Sequence, residues 1–301
     1  MTVINTNTAA TLTANALTKN ERAMSQTMER LSTGQRINSA SDDAAGLAIS
    51  SRMTSQINGL NMAVRNTNDA ISMVQTADGA LVEVTNMLQR MRELTVQAAS
   101  GTMGTSDIAA ANTEFTALRD QIQEVAKNTE FNGTKILDGS VGTGTSVSFQ
   151  VGANASQTLS VVFGDLNTDF NASNSATQAV LATGLLVGLA AAGIGGGTGG
   201  TRDLIDQTVS TANVIATLDN ALANVNEKRS DFGAAINRLE HTADNLANVS
   251  QNASASRSRI LDADYASETT ELARTQIIQQ AGTAMLSQAN QQAQSVLALL
   301  K

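Results

Sequence analysis

VINTNTAATLTANALTKNERAMSQTMERL (Val3–Leu31) and IQQAGTAMLSQANQQAQSVLALL (Ile278–Leu300) decide how this chain is read. In the first, Val3, Ala10, Leu17, Met24 and Leu31 recur at every seventh position. In the second, Ile278, Ala281, Met285, Ala289, Ala293, Val296 and Leu300 step by three or four. Both are seams of amphipathic helices, and a strict heptad is the repeat of a left-handed coiled coil. Neither helix can bury its own seam, so the two ends are expected to pair with each other or with copies of themselves. The residues expected to carry that assembly are Leu17, Met24, Leu31, Ile278, Met285, Leu286, Val296, Leu297 and Leu300.

Working inward, apolar positions from Ile57 through Leu60, Val64, Ile71, Val74, Ala77, Leu81, Val84, Leu88, Met91 and Leu94 to Ala98 keep one face of a single long helix. Leu218, Val225, Phe232, Leu239 and Leu246 form a second heptad series, joined by Leu222, Ile236 and Ala243 and interrupted by Arg229. These two stretches read as antiparallel partners, the chain going out along one and returning along the other. Between them, Ser106 and Asp107 open a further helix whose core face is Ile108, Ala111, Phe115, Leu118, Ile122 and Val125. The turn formers of NTEFNGTKILDGS end it, and alternation at Ser146–Val151 and Thr158–Phe163 predicts a β-hairpin. The expected fold class is mainly α, a long antiparallel bundle or coiled coil with a small β-hairpin and a short variable middle segment. Its expected parts are 1–43 (inner helix and linker), 44–139 (long and second helix), 140–200 (hairpin and outward Ala/Gly-rich segment), 201–255 (returning helix) and 256–301 (inner C-terminal helix).

Composition agrees with rods rather than a rounded core. Of 301 residues 42 % are apolar but only 2 % aromatic, with no Trp and Tyr265 alone. There is no Pro, which removes the strongest helix breaker. A net charge of -8 and no basic cluster argue against nucleic acid. Ala179–Ile194 is nearly all apolar, yet it is too short for the hydrocarbon core and lacks flanking Lys or Arg, so no membrane span is expected. The N-terminal stretch has no basic region followed by an apolar run, and no cleavable export signal is expected.

Chemistry finds little footing. One histidine, His241, and no Cys leave no His or thiolate metal site, and no nucleophile–base set accompanies His241. Asp42 with Asp43 and Asp262 with Asp264 lack the Gly turn and distal Glu of a calcium loop; each pair instead precedes an Ala-rich run, where acids stabilise helix N-termini. GIGGGTGG lacks the Lys-Ser/Thr of a phosphate loop. No catalytic residue, cofactor or metal is expected.

LSTGQRINSASDDAAGLAIS, LQRMRELTVQAAS, NTEFNGTKILDG and SRILDADYASETTELARTQIIQQAGTAMLSQANQQAQSVLALL, in that order, resemble bacterial flagellin, the subunit of the flagellar filament. The resemblance covers about Met1–Gly139 and Thr201–Lys301. It implies an extracellular homo-polymer of many copies that serves swimming motility, with terminal helices inside, longer helices outside and a variable outward middle. It further implies export through the flagellar channel, with an export chaperone, cap and hook-junction proteins as partners. Arg90, Leu94 and Glu114 match family positions recognised by the vertebrate Toll-like flagellin receptor; packing of Leu94 and lateral contacts of the two charges would account for the same residues. Two positions depart from the family pattern, Ser41 where Lys is common and Gln35 where an apolar residue is frequent. A hook-filament junction protein, which shares the terminal seams, is the alternative reading. The Ala-rich ends, 1–35 and 265–301, hold few large side chains to offset the entropy of ordering, so they are expected to order only among copies.

Overall fold

The structure, a computed structural model, describes residues 7–100, 102–142, 145–166 and 211–298, with side chains throughout except at 211–213 and 292–298. The elements within them are α1 (Thr8–Thr33), α2 (Ala44–Ala98), α3 (Thr105–Asn128), β1 (Glu130–Phe131), β2 (Thr134–Lys135), β3 (Ser146–Gln150), β4 (Thr158–Val162), α4 (Thr211–Leu261) and α5 (Tyr265–Ala298). Two compact units divide the chain, one of Met1–Asn58 with Ser250–Lys301 and one of Gly59–Val249. The dividing points fall inside α2 and α4. Ala179–Ile194 and GIGGGTGG lie outside the described residues, as do Val3 and Leu300.

In the unit of Gly59–Val249, α2 and α4 run antiparallel, as their ion pairs show: Arg229 Nε meets Asp78 Oδ1 at 3.0 Å and Arg92 Nε meets Asp219 Oδ1 at 2.6 Å. Arg229, the interruption in the heptads of α4, is therefore matched by an acid on α2. Leu218, Val225, Phe232 and Leu239 are all wholly buried. The buried seam of α2 is Leu60, Ala63, Thr67, Ala70, Val74, Ala77, Leu81, Val84, Leu88 and Met91, an alternation of three- and four-residue steps. In its first half this corrects the expected face: Val64 and Ile71 are half-buried, and the smaller Ala63, Thr67 and Ala70 take the inner positions. Small side chains let the packed elements approach closely, and the Thr67 hydroxyl donates to Ala63 O at 2.8 Å, so that buried hydroxyl is satisfied.

Helix α3 lays Ala111, Phe115 and Ile122 on the same core. Its cap is Gly104 rather than Ser106, and the Asp107 carboxylate reaches back to accept the Gly104 N–H at 3.2 Å. β1 and β2 are joined by Asn132–Gly133, both at positive φ (51° and 76°), the conformation of a tight hairpin turn. β3 and β4 pair antiparallel with Ser148 opposite Ser160. Phe163, just past β4, meets Phe232 of α4 with ring centroids 5.6 Å apart. Near the far end of this hairpin the Asn66 side-chain amide donates to Gln150 O, and Ala153 lies against Gly59 so closely that a Cβ there would stand 3.1 Å from its own.

In the unit of Met1–Asn58 with Ser250–Lys301, α1 pairs with α5 and the two linkers pair with each other. Arg36 N donates to Leu261 O at 2.7 Å, Ala263 N to Gly34 O at 3.0 Å, and Gln35 bridges Asp262. The four acids of the sequence motifs divide by role. Asp43 caps α2 through Gly46 N (2.8 Å) and Asp264 caps α5 through Ala266 N (3.0 Å). Asp42 instead closes the linker turn by accepting Ser39 N and Asn38 N, and Asp262 accepts the Ser258 hydroxyl. The two backbone bonds hold the Asp42 carboxyl below the usual carboxylate range, Ser39 contributing most. Ser41 bonds the Ser39 hydroxyl at 2.7 Å.

Candidate functional site

The terminal helix pair is the feature that the sequence singles out, and its geometry follows from the heptads. On α1, Ala10, Leu17, Met24 and Leu31 are half-buried; three residues after each of the first three, Thr13 is half-buried and Asn20 and Thr27 are buried. On α5 the covered face is Glu268, Leu272, Thr275, Gln279, Gly282, Leu286 and Ala289. Leu17 reaches this face where α5 is thinnest: its Cδ1 would lie 3.3 Å from a Cβ placed on Gly282.

This seam is half polar. Asn20 Nδ2 donates to Thr275 O at 2.8 Å in a buried position, Asn7 Nδ2 to Ala289 O at 3.2 Å, and Arg30 Nη1 meets Glu268 Oε1 at 3.1 Å. The buried hydroxyls of Thr27 and Thr275 donate to carbonyls of their own helices. A side-chain amide bonded to one particular carbonyl discriminates among registers, which apolar contacts alone do poorly. Sequence reasoning missed these residues because it followed one apolar position per heptad; the signal was Thr13, Asn20 and Thr27, repeating at the companion position.

Of the α5 stripe chosen from sequence, Ala289 joins the covered face and the earlier residues land elsewhere. Ile278 and Met285 are 43 % and 61 % exposed, Ala281 is exposed, and the neighbouring Ile277 is 66 % exposed. At 100° per residue this open stripe lies about a third of a turn from the face that meets α1. Of the residues expected to act together, Leu17, Met24, Leu31 and Leu286 meet in the seam; Ile278 and Met285 do not join them. The side chains of Val296 and Leu297, and all of Leu300, lie outside the described residues. On α1, Leu12 is 73 % exposed.

The second set of candidates sits on α2 and α3. Arg90 Nε bonds Glu114 Oε1 at 2.8 Å and its Nη1 bonds Glu93 at 3.0 Å, all three side chains being exposed. Bonding to Glu114, and then to Glu93, raises the guanidinium pKa further above its ordinary value, so the group stays charged. Leu94, only 2 % exposed, belongs to the core and not to that surface.

Nothing in the described residues gathers three His, Asp or Glu side chains as a metal site would, and none of their helices is long and apolar enough to cross a membrane. His241 is exposed on α4.

Comparison with known proteins identifies what this pair of helices belongs to. Residues 4–142 match the bacterial flagellin N-terminal helical region, and residues 215–300 match the bacterial flagellin C-terminal helical region. A flagellin of Bacillus subtilis is 43 % identical over 314 aligned residues, covering 99 % of each chain. A flagellin of Halalkalibacterium halodurans is 46 % identical, covering 91 % of this chain and 90 % of the relative. A hook-associated protein structure from Vibrio parahaemolyticus shares the fold, with a TM-score of 0.54 over 73 % of this chain and all of that one, at 13 % identity. With two family regions matched in order at its two helical ends, and near-full-length relatives above two-fifths identity, this chain belongs to the bacterial flagellin family.

Proposed function

We propose that the filament is held at its terminal helices by a division of labour between the two faces of α5. The chain is a structural subunit that polymerises, in many copies, into the bacterial flagellar filament used for motility. One observation carries the proposal: α5 turns its half-polar face to α1 and leaves its most apolar stripe, Ile277, Ile278, Ala281 and Met285, in solvent. A helix that spends a mixed face on its own chain and exposes a continuous apolar one is built for another partner. The partner is a second copy of this chain. Leu17, Met24, Leu31 and Leu286 close the seam inside each subunit, while Ile278 and Met285 work between subunits; in sequence, Val296 and Leu300 fall two heptads after Gly282 and Leu286. Each terminal helix of the free chain is covered on one face only, so copies complete the ordering of the ends.

Because the chain has no Cys, an Ile278→Cys variant can be followed by maleimide labelling. The thiol reacts readily in the free chain and is protected in filaments; equal labelling in both states refutes the reading. Limited proteolysis gives a second view, with the ends cleaved before residues 60–125 in the free chain and resistant after assembly.

The subunit reaches the cell exterior through the flagellar channel, served by an export chaperone, a cap and hook-junction proteins. The reading of Arg90 and Glu114 as a surface for the Toll-like flagellin receptor is supported by their exposure, with buried Leu94 fixing the helix beneath them. A charge reversal at Arg90 that leaves receptor binding intact would refute it.

A further inference from the structure

Methionine is the only sulfur-bearing residue in this chain, since ten Met and no Cys are present. The fold sorts them. Met73 and Met91 are buried among the side chains of the core, whereas Met28, Met62 and Met285 stand exposed. Of these three, only Met285 lies in the open apolar stripe of α5, beside Ile278 and Ala281. A thioether there is reachable by small oxidants before assembly and covered afterwards.

We infer that Met285 is a modification site, oxidised to the sulfoxide by peroxides in the free chain, and that the product is rejected by the growing filament. This rests on the reading that copies cover the α5 stripe. In the step, a sulfur lone pair attacks one oxygen of hydrogen peroxide. The S–O bond forms as the O–O bond breaks, sulfur loses two electrons, and the departing hydroxide takes the remaining peroxide proton and leaves as water. The sulfoxide is polar and chiral, and burying its oxygen without a donor is unfavourable. Met62 lies in the unit of Gly59–Val249 and serves as an exposed control, while Met91 serves as a buried one.

The test treats the free chain and the filament separately with dilute hydrogen peroxide, maps sulfoxides by peptide mass, and measures the critical concentration for assembly by sedimentation. In the free chain Met285 oxidises about tenfold or more faster than Met91, and filaments protect it. The oxidised chain assembles only at about tenfold or more higher concentration. Met285→Leu, close in volume and not oxidisable, loses most of that sensitivity when treated and untreated samples of the variant are compared, whereas Met62→Leu keeps it. Sulfoxide reductases for both epimers restore the parent chain, a readout that does not depend on any variant. The inference is overturned if Met285→Leu is as sensitive as the parent, if Met285 oxidises no faster than Met91, or if reductases fail to restore assembly. Equal oxidation of Met285 in free chain and filament overturns the assembly reading itself, a result distinct from the others.

Discussion

Replacing the open stripe of α5 by Ile277→Ser, Ile278→Ser and Met285→Ser in one chain is the sharpest perturbation of assembly. These side chains leave 66 %, 43 % and 61 % of their surface in solvent in the isolated chain. Full burial of such a side chain contributes about 1.5–3 kcal/mol, so covering what remains contributes about 4 kcal/mol for the three together. At 1.4 kcal/mol per decade, the critical concentration should rise about a thousandfold. Sedimentation of seeded filaments measures it, and far-ultraviolet circular dichroism checks that the monomer keeps its helices. Retention is expected, because none of the three contributes to the seam with α1. A triple variant that is normally helical and assembles within tenfold of the parent would refute the reasoning. Leu286→Asp makes the contrast: it strikes the seam inside the subunit, so the melting of the terminal pair in the monomer falls as well as assembly.

Three further outcomes follow from the geometry. Asn20→Ala removes the buried bond to Thr275 O and leaves that carbonyl to its helix alone, lowering the stability of the terminal pair by about 1–2 kcal/mol in denaturant unfolding. Phe232→Ala empties a wholly buried site against Phe163 and destabilises the unit of Gly59–Val249 by about 3–5 kcal/mol, read as a lower urea midpoint. Asp42 has a folded pKa below its unfolded value, so the stability it contributes is present above the ordinary carboxylate range and is lost as pH falls through the folded pKa. Asp42→Asn should therefore flatten the acid limb of the stability profile below about pH 4 and leave its neutral slope unchanged, as pH-dependent thermal melts would show.

Much of the architecture is legible before any coordinates. The seven-residue recurrence of Leu218, Val225, Phe232 and Leu239 names four wholly buried residues of α4, and the alternation in Ser146–Val151 and Thr158–Phe163 locates the β3–β4 hairpin. Periodicity succeeds there because a long helix with large apolar residues on one face has one sensible side to bury. It misleads in the first half of α2, where Val64 and Ile71 are the bulkier residues but Ala63, Thr67 and Ala70 are the buried ones. Hydrophobicity ranks side chains one at a time, while close packing selects those that fit.

The sequence by itself determined that this chain is a set of long helices with apolar seams at both ends. Its heptads and its missing prolines carry that much. Only the tertiary structure decided which face of each end is spent inside the subunit. Asn20, Thr27, Thr275, Gln279 and Gly282 read as polar or small interruptions until α1 and α5 are brought side by side, when their hydrogen bonds and close approach make the seam. Ile277, Ile278 and Met285 are then left outside. The reason is physical: apolar burial has no direction and could be satisfied by either face, whereas an amide bonded to one carbonyl and a leucine seated on one glycine select a single register and a single side.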